Sequence, residues 1–125
     1  MIPRFDTLTM IDLSYLREIS DGDEFFVRDI LQDYLEQMPF YISQIRQAVD
    51  VGRLDILQNT SHKMKSLFTL LNASDLHKKA ADIESNAKFR QTDWEDYRQR
   101  IEQIASATEP MYTEIKRYLA GSSNW

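Results

Sequence analysis

From Leu54 to Leu71 the residues Leu54, Leu57, Ser61, Met64, Phe68 and Leu71 return at alternating gaps of three and four. That interval suits the 3.6-residue turn of an α-helix and conflicts with the two-residue period of a strand. The same rhythm runs through nearly all of the chain. No stretch alternates apolar and polar residues for long enough to suggest a half-buried strand, and Gly and Pro number only three each. An all-α fold follows.

Five helical segments are expected. A short one covers Asp12 to Ile19, with Leu13, Leu16 and Ile19 inward. Asp21-Gly22-Asp23-Glu24 reads as a turn and cap that sets carboxylates at the positive end of the second helix. That helix carries Phe26, Ile30, Tyr34, Met38, Ile42, Ile45 and Val49 on one face. Pro39 lies inside it, so a kink or a join between two helices is expected near Gln37 to Pro39. Val51-Gly52 closes it. The third helix spans Arg53 to Leu71, and Asn72 after it suits a left-handed residue. Ser74 is expected to cap the fourth, Asp75 to Lys88, whose Leu76, Ala80, Ile83 and Ala87 face the core. Thr92-Asp93-Trp94-Glu95 has capping-box spacing and opens the last helix. Its inner face is Trp94, Tyr97, Ile101, Ile104, Tyr112, Ile115 and Leu119; Pro110 should bend it and Gly121 should end it.

Amphipathic helices with short connections pack as antiparallel neighbours. The expected architecture is therefore an antiparallel four-helix bundle with a short additional N-terminal helix. At 125 residues the chain suits one domain, 1–125, with its core at about 11–120 and a frayed tail at 122–125. One bundle can bury all of these stripes internally, so a monomer is expected.

Composition removes several function classes. There is no cysteine, which excludes disulfides and thiolate chemistry and fits a reducing compartment. The opening Met1-Ile2-Pro3-Arg4-Phe5-Asp6 has neither the basic segment nor the apolar run of a secretory signal. No apolar segment approaches the roughly 20 residues that span a bilayer. A cytoplasmic protein without membrane attachment is expected. Seven basic and four acidic side chains between Arg53 and Arg90 give that stretch +3 in a chain of net charge −5, so the rest carries −8. A small positive face on an acidic chain disfavours nucleic acid and favours an acidic partner surface or a phosphoryl group. Di-metal bundles use Glu-x-x-His pairs, but Asn59 and Ser74 stand three before His62 and His77, so no metal site is expected.

Rotated away from the apolar ridge of the third helix, Gln58, His62, Lys65, Ser66 and Thr69 form a polar stripe. His62 is thus expected to face outward, with a cation and little bulk one turn further on. Neutral imidazole is nucleophilic near neutral pH, its unperturbed pKa being about 6.5. Lys65 could steady phosphoryl oxygens, since phosphoryl transfer depends mainly on positioning and charge compensation. Ser66 leaves room for a partner, Gln58 could hold the ring, and Thr69 extends the docking face. His77 has no motif around it and reads as a surface or helix-end residue.

The run His62-Lys63-Met64-Lys65-Ser66 resembles the H-x-x-K-G/S motif of histidine-containing phosphotransfer (HPt) domains. Leu16-Arg17-Glu18-Ile19, Asp21-Gly22-Asp23, Phe25-Phe26 and the Pro39-containing helix resemble that family's opening. Arg53-Leu54-Asp55 and Ala81-Asp82-Ile83-Glu84 also fall where the family has comparable residues. The likeness covers roughly Ile11 to Lys88. Three departures are small ones: Ser66 and Asn72 stand where glycine is usual, and Ser61 where alanine is frequent.

The resemblance implies a phosphorelay intermediate. His62 would accept a phosphoryl group from a receiver-domain phospho-aspartate and pass it to another receiver aspartate. The implied partners are response-regulator receiver domains and a (hybrid) sensor histidine kinase. No cofactor of its own is expected; the Mg²⁺ would sit in the partner receiver. Such a chain is a phosphohistidine carrier more than an enzyme. The rival reading is a helical-bundle adaptor that docks receivers or kinases without being phosphorylated.

Overall fold

The computed structural model describes residues 11–122, where the chain forms five α-helices and no strand. These are α1 (Ser14–Ile19), α2 (Glu24–Val51), α3 (Leu54–Leu70), α4 (Ser74–Lys88) and α5 (Trp94–Ser122). The opening Met1 to Asp6 and the expected tail beyond Ser122 lie outside the described residues.

Local chemistry explains most of the boundaries. Asp23 caps α2, its carboxylate accepting from the backbone N–H of Phe25 and Phe26. Gly52 (φ 72°) ends α2 in the left-handed conformation, with Arg53 N–H reaching back to the Ala48 carbonyl at 2.8 Å. Asn72 (φ 53°) does the same for α3, with Ala73 N–H on the Phe68 carbonyl at 2.9 Å. Its side chain adds a link that glycine could not: Nδ2 donates to Asp12 Oδ2 and Ser14 Oγ, tying the start of α1 to the end of α3. Arg90 (φ 62°) closes α4 in the same way, with Gln91 N–H on the Asn86 carbonyl.

Several boundaries differ from expectation. Ser74 is the first helical residue of α4 and caps nothing; Ala73 occupies the N-cap with no side-chain bond. The cap of α5 is Asp93, whose carboxylate accepts from Asp96 N–H, and not Thr92. Gly121 does not end α5, which continues to Ser122. Neither proline divides its helix: Pro39 and Pro110 lie on exposed faces of continuous helices. There the missing N–H and the ring fall on the solvent side, while buried neighbours hold the turns around them. Ile19 is largely exposed, because α1 ends before a further turn could fold it under; Leu13 and Leu16 are buried as expected.

The core joins all five helices. Val27, Leu31, Tyr34, Met38, Ile42 and Ile45 of α2 are buried, whereas Phe26 and Ile30 pack only at its edge. Leu57, Met64 and Phe68 come from α3, Leu76, Ala80, Ile83 and Ala87 from α4, and Tyr97, Ile101, Ile104, Met111 and Ile115 from α5. Tyr34 sits at its centre, its ring tilted against Phe68 and Tyr112 at 6.3 and 6.0 Å. Helix α3 packs against α2 and α4, and α5 packs against the same two, so the four long helices close a ring of contacts. Helix α1 packs on α2. No described helix is long and apolar enough to cross a membrane.

Candidate functional site

Two small polar residues on the inner side of α3 set the orientation of the next one. Thr60 and Ser61 are both buried and both satisfied: Thr60 Oγ1 bonds Gln44 Oε1 of α2, and Ser61 Oγ donates back to the Leu57 carbonyl. At about 100° per residue, the following side chain turns out of the core. His62 follows, and its side chain is 64 % exposed.

One ring nitrogen is nevertheless held. His62 Nδ1 lies 2.9 Å from Glu84 Oε2, on α4. The other oxygen of the same carboxylate, Oε1, lies 2.6 Å from Lys65 Nζ. Glu84 therefore bridges the imidazole and the ammonium, which sit one turn apart on α3. Its side chain is only 19 % exposed. Burial pushes the Glu84 carboxyl up, but the hydrogen bonds and charges of Lys65 and His62 outweigh it and hold the group below its ordinary value. Glu84 is thus ionised at neutral pH and can only accept. In neutral imidazole the Nδ1 must then carry the proton, and the lone pair belongs to Nε2, which has no hydrogen-bond partner among the described residues.

The other expected site residues divide. Ser66 and Thr69 are exposed on the same face, and Gln58 is half-buried one turn before His62. The ring is held by Glu84, however, and not by Gln58. Lys65 is three-quarters covered, and its charge is met by Glu84, so the face around His62 is less positive than the net +3 of its stretch suggests. Lys63 is exposed beside it. His77 is half-buried in the first turn of α4 and belongs to no such group.

Glu84 is the member that sequence reasoning missed. A signal was present: Ala80, Ile83, Glu84 and Ala87 have the i, i+3, i+4, i+7 spacing of a buried helical face, so a carboxylate stands where an apolar side chain is expected. The small Ala80 and Ala87 let α4 approach α3 closely enough for Glu84 to reach across.

Chemically, the arrangement is an exposed nitrogen nucleophile whose tautomer is set from behind and which has a cation within one turn. An open depression between α4 and α5, lined by Lys79, Gln99, Glu102, Gln103 and Ser106, includes none of these residues. No cluster of three His, Asp or Glu suited to a metal ion occurs among the described residues. In comparisons with known proteins, the family model described as the Hpt domain matches residues 29–122, most of the chain and all of the groups above. No curated protein and no solved structure matches.

Proposed function

The chain belongs to the Hpt domain family, and from that premise we propose that it is a phosphorelay intermediate whose phosphorylated residue is His62. Hpt domains act in the phosphotransfer of two-component phosphorelays, as phosphocarrier modules that meet receiver domains and histidine kinases. The finer reading concerns atoms. A receiver-domain aspartyl phosphate approaches the exposed face of α3, and Nε2 attacks its phosphorus. The P–O bond to the aspartate breaks, the N–P bond forms, and the receiver recovers a free carboxylate. A second receiver aspartate reverses these steps and takes the group away.

The observation that carries this reading is the pairing of exposure with a held ring. His62 is open to a partner, yet its Nδ1 is engaged by Glu84, which leaves Nε2 as the available nucleophile. A freely rotating imidazole would spread its lone pair over two positions; the fixed ring presents one. Lys65 lies on the same helix face and can swing from Glu84 toward phosphoryl oxygens. Ser66 and Thr69 keep the approach low, and Gln58 completes the docking face. The partner receiver's acidic site would hold Mg²⁺, which would supply charge neutralisation for the transferring group.

The ring of helix contacts supports an antiparallel four-helix bundle of α2 to α5 with α1 across one end. That bundle draws its buried core from all five helices within one copy, which supports a monomer; the reading is of a cytoplasmic carrier with no cofactor of its own and no nucleic-acid or membrane partner.

Incubation with a phosphorylated cognate receiver should label the protein with acid-labile, base-stable phosphate. The substitution His62→Gln should abolish labelling and leave helical content unchanged by circular dichroism. Label surviving in that variant would move the site elsewhere, and stable docking without label in the native chain would favour the adaptor.

A further inference from the structure

Phosphorylation at Nε2 changes what the ring needs from its neighbours. A neutral imidazole with Nδ1–H becomes, on gaining the phosphoryl group, an N-phosphorylated imidazolium that still bears its Nδ1 proton. If that proton is kept, the N–P bond can break with its electron pair returning to Nε2, and the departing ring is neutral. Should the proton be lost, the ring would have to depart as an imidazolate anion, a far poorer leaving group. The fate of one proton therefore separates a phosphohistidine that hands its group on from one that stores it.

Glu84 stands at the atom concerned. Its Oε2 is 2.9 Å from Nδ1, and its Oε1 is 2.6 Å from Lys65 Nζ. Resting on the assignment of His62 as the phosphorylated residue, we infer that Glu84 is a positioning residue for the phosphorylated state. Its carboxylate keeps the proton on Nδ1 after the phosphoryl group arrives at Nε2, so that the group stays transferable. No proton enters or leaves in either direction of transfer, and atoms and charge balance without an added acid or base.

The ionisable groups around the ring are few. From α4 there is Glu84; from α3 there is Lys65, which acts through Glu84, with Lys63 exposed alongside. Helix α2 brings Gln44 to the neighbouring Thr60 and makes no ion pair with His62. Lys65 opposes the effect, since it draws on the same carboxylate. A charge-assisted bond to an imidazolium is about twice as strong as its neutral counterpart. A glutamine in this place would favour neither state, because its amide can offer an oxygen to N–H or an N–H to a bare nitrogen.

The test uses the whole chain and phosphoramidate, which phosphorylates imidazole with loss of ammonia and needs no partner. Native protein, Glu84→Gln and Lys65→Met are loaded, and loss of phosphate is followed from pH 5 to 10. The native rate should fall as pH rises and the Nδ1 proton leaves. In Glu84→Gln that fall should move toward acid by about one pH unit or more, as expected for loss of an opposite charge in contact. In the intervening range its phosphohistidine should last about tenfold longer. In Lys65→Met the fall should move toward alkali, the reverse direction, which a general loosening of the fold would not produce. A profile unmoved in Glu84→Gln, with His62 still labelled, overturns the inference and leaves His62 as the phosphorylated residue. Absence of label at His62 in the native chain removes the assignment beneath it. If Glu84→Gln does not fold, the Lys65→Met profile decides: an alkaline shift upholds the inference and an unmoved profile overturns it.

Discussion

Arg90 adopts φ 62° at the end of α4, a conformation in which any side chain with a Cβ is strained. Its neighbour Phe89 is exposed, with Lys88 Nζ 6.0 Å from the ring centre, and among the described residues no hydrogen bond or ion pair of the Arg90 side chain offsets the strain. Glycine relieves about 1–2 kcal/mol there and loses up to about 1 kcal/mol in unfolded-chain entropy. Arg90→Gly should therefore stabilise the protein by about 0.5–1 kcal/mol, read as a rise of a few degrees in the thermal midpoint. An unchanged or lower midpoint would mean that Arg90 makes contacts of its own. Asn72 is the instructive contrast. It has a similar φ, but its amide ties α1 to α3, so the same exchange there should not stabilise.

Helix ends follow a similar logic of satisfied donors. Asp23 takes the N–H of Phe25 at 3.0 Å and of Phe26 at 3.4 Å at the start of α2, whereas Ser74, which looks like a cap in the sequence, lies one residue inside α4. Asp23→Ala should cost about 1 kcal/mol in urea unfolding. Ser74→Ala should cost nothing or stabilise slightly, since alanine is the better helix former within the first turn. Equal losses in both variants would show that the cap of α4 is Ser74 after all. The pairing of α3 with α4 depends on side chains as well as ends. Small residues on α4 permit the approach, and Glu84 crosses it to reach two residues of α3.

Stability of the molecule against acid should reflect that crossing. Glu84 is held below its ordinary value in the fold: burial opposes this, and the bonds to Lys65 and His62 prevail. Asp12, bonded by Ser14 N–H, and Glu102, bonded by Arg46, are lowered as well. A carboxyl lowered by folding contributes stability that is fully present above its unfolded value. That contribution disappears as pH falls through the folded value. The urea midpoint should therefore drop from about pH 5 downward. Glu84→Gln should be less stable than the native chain at pH 7, and the difference should shrink by pH 3. A gap that stays constant across that range would show that Glu84 contributes by shape and not by charge.

Periodicity alone carried the all-α fold, the five segments and the buried face of α3, because a helical stripe is a local property of neighbours three and four apart. The outward turn of His62, with Ser66 and Thr69 beside it, was legible for the same reason. The cap positions at Ser74 and Thr92 were misplaced by one residue, and the start of α1 and the end of α5 were misjudged, since termini depend on backbone bonds that several nearby residues compete to supply. Glu84 was out of reach in a different way. Its role requires that a carboxylate 22 positions along the chain come within 3 Å of the ring. Only the close approach of α4 to α3 brings the two together, and contact between helices is not written in the pattern of either.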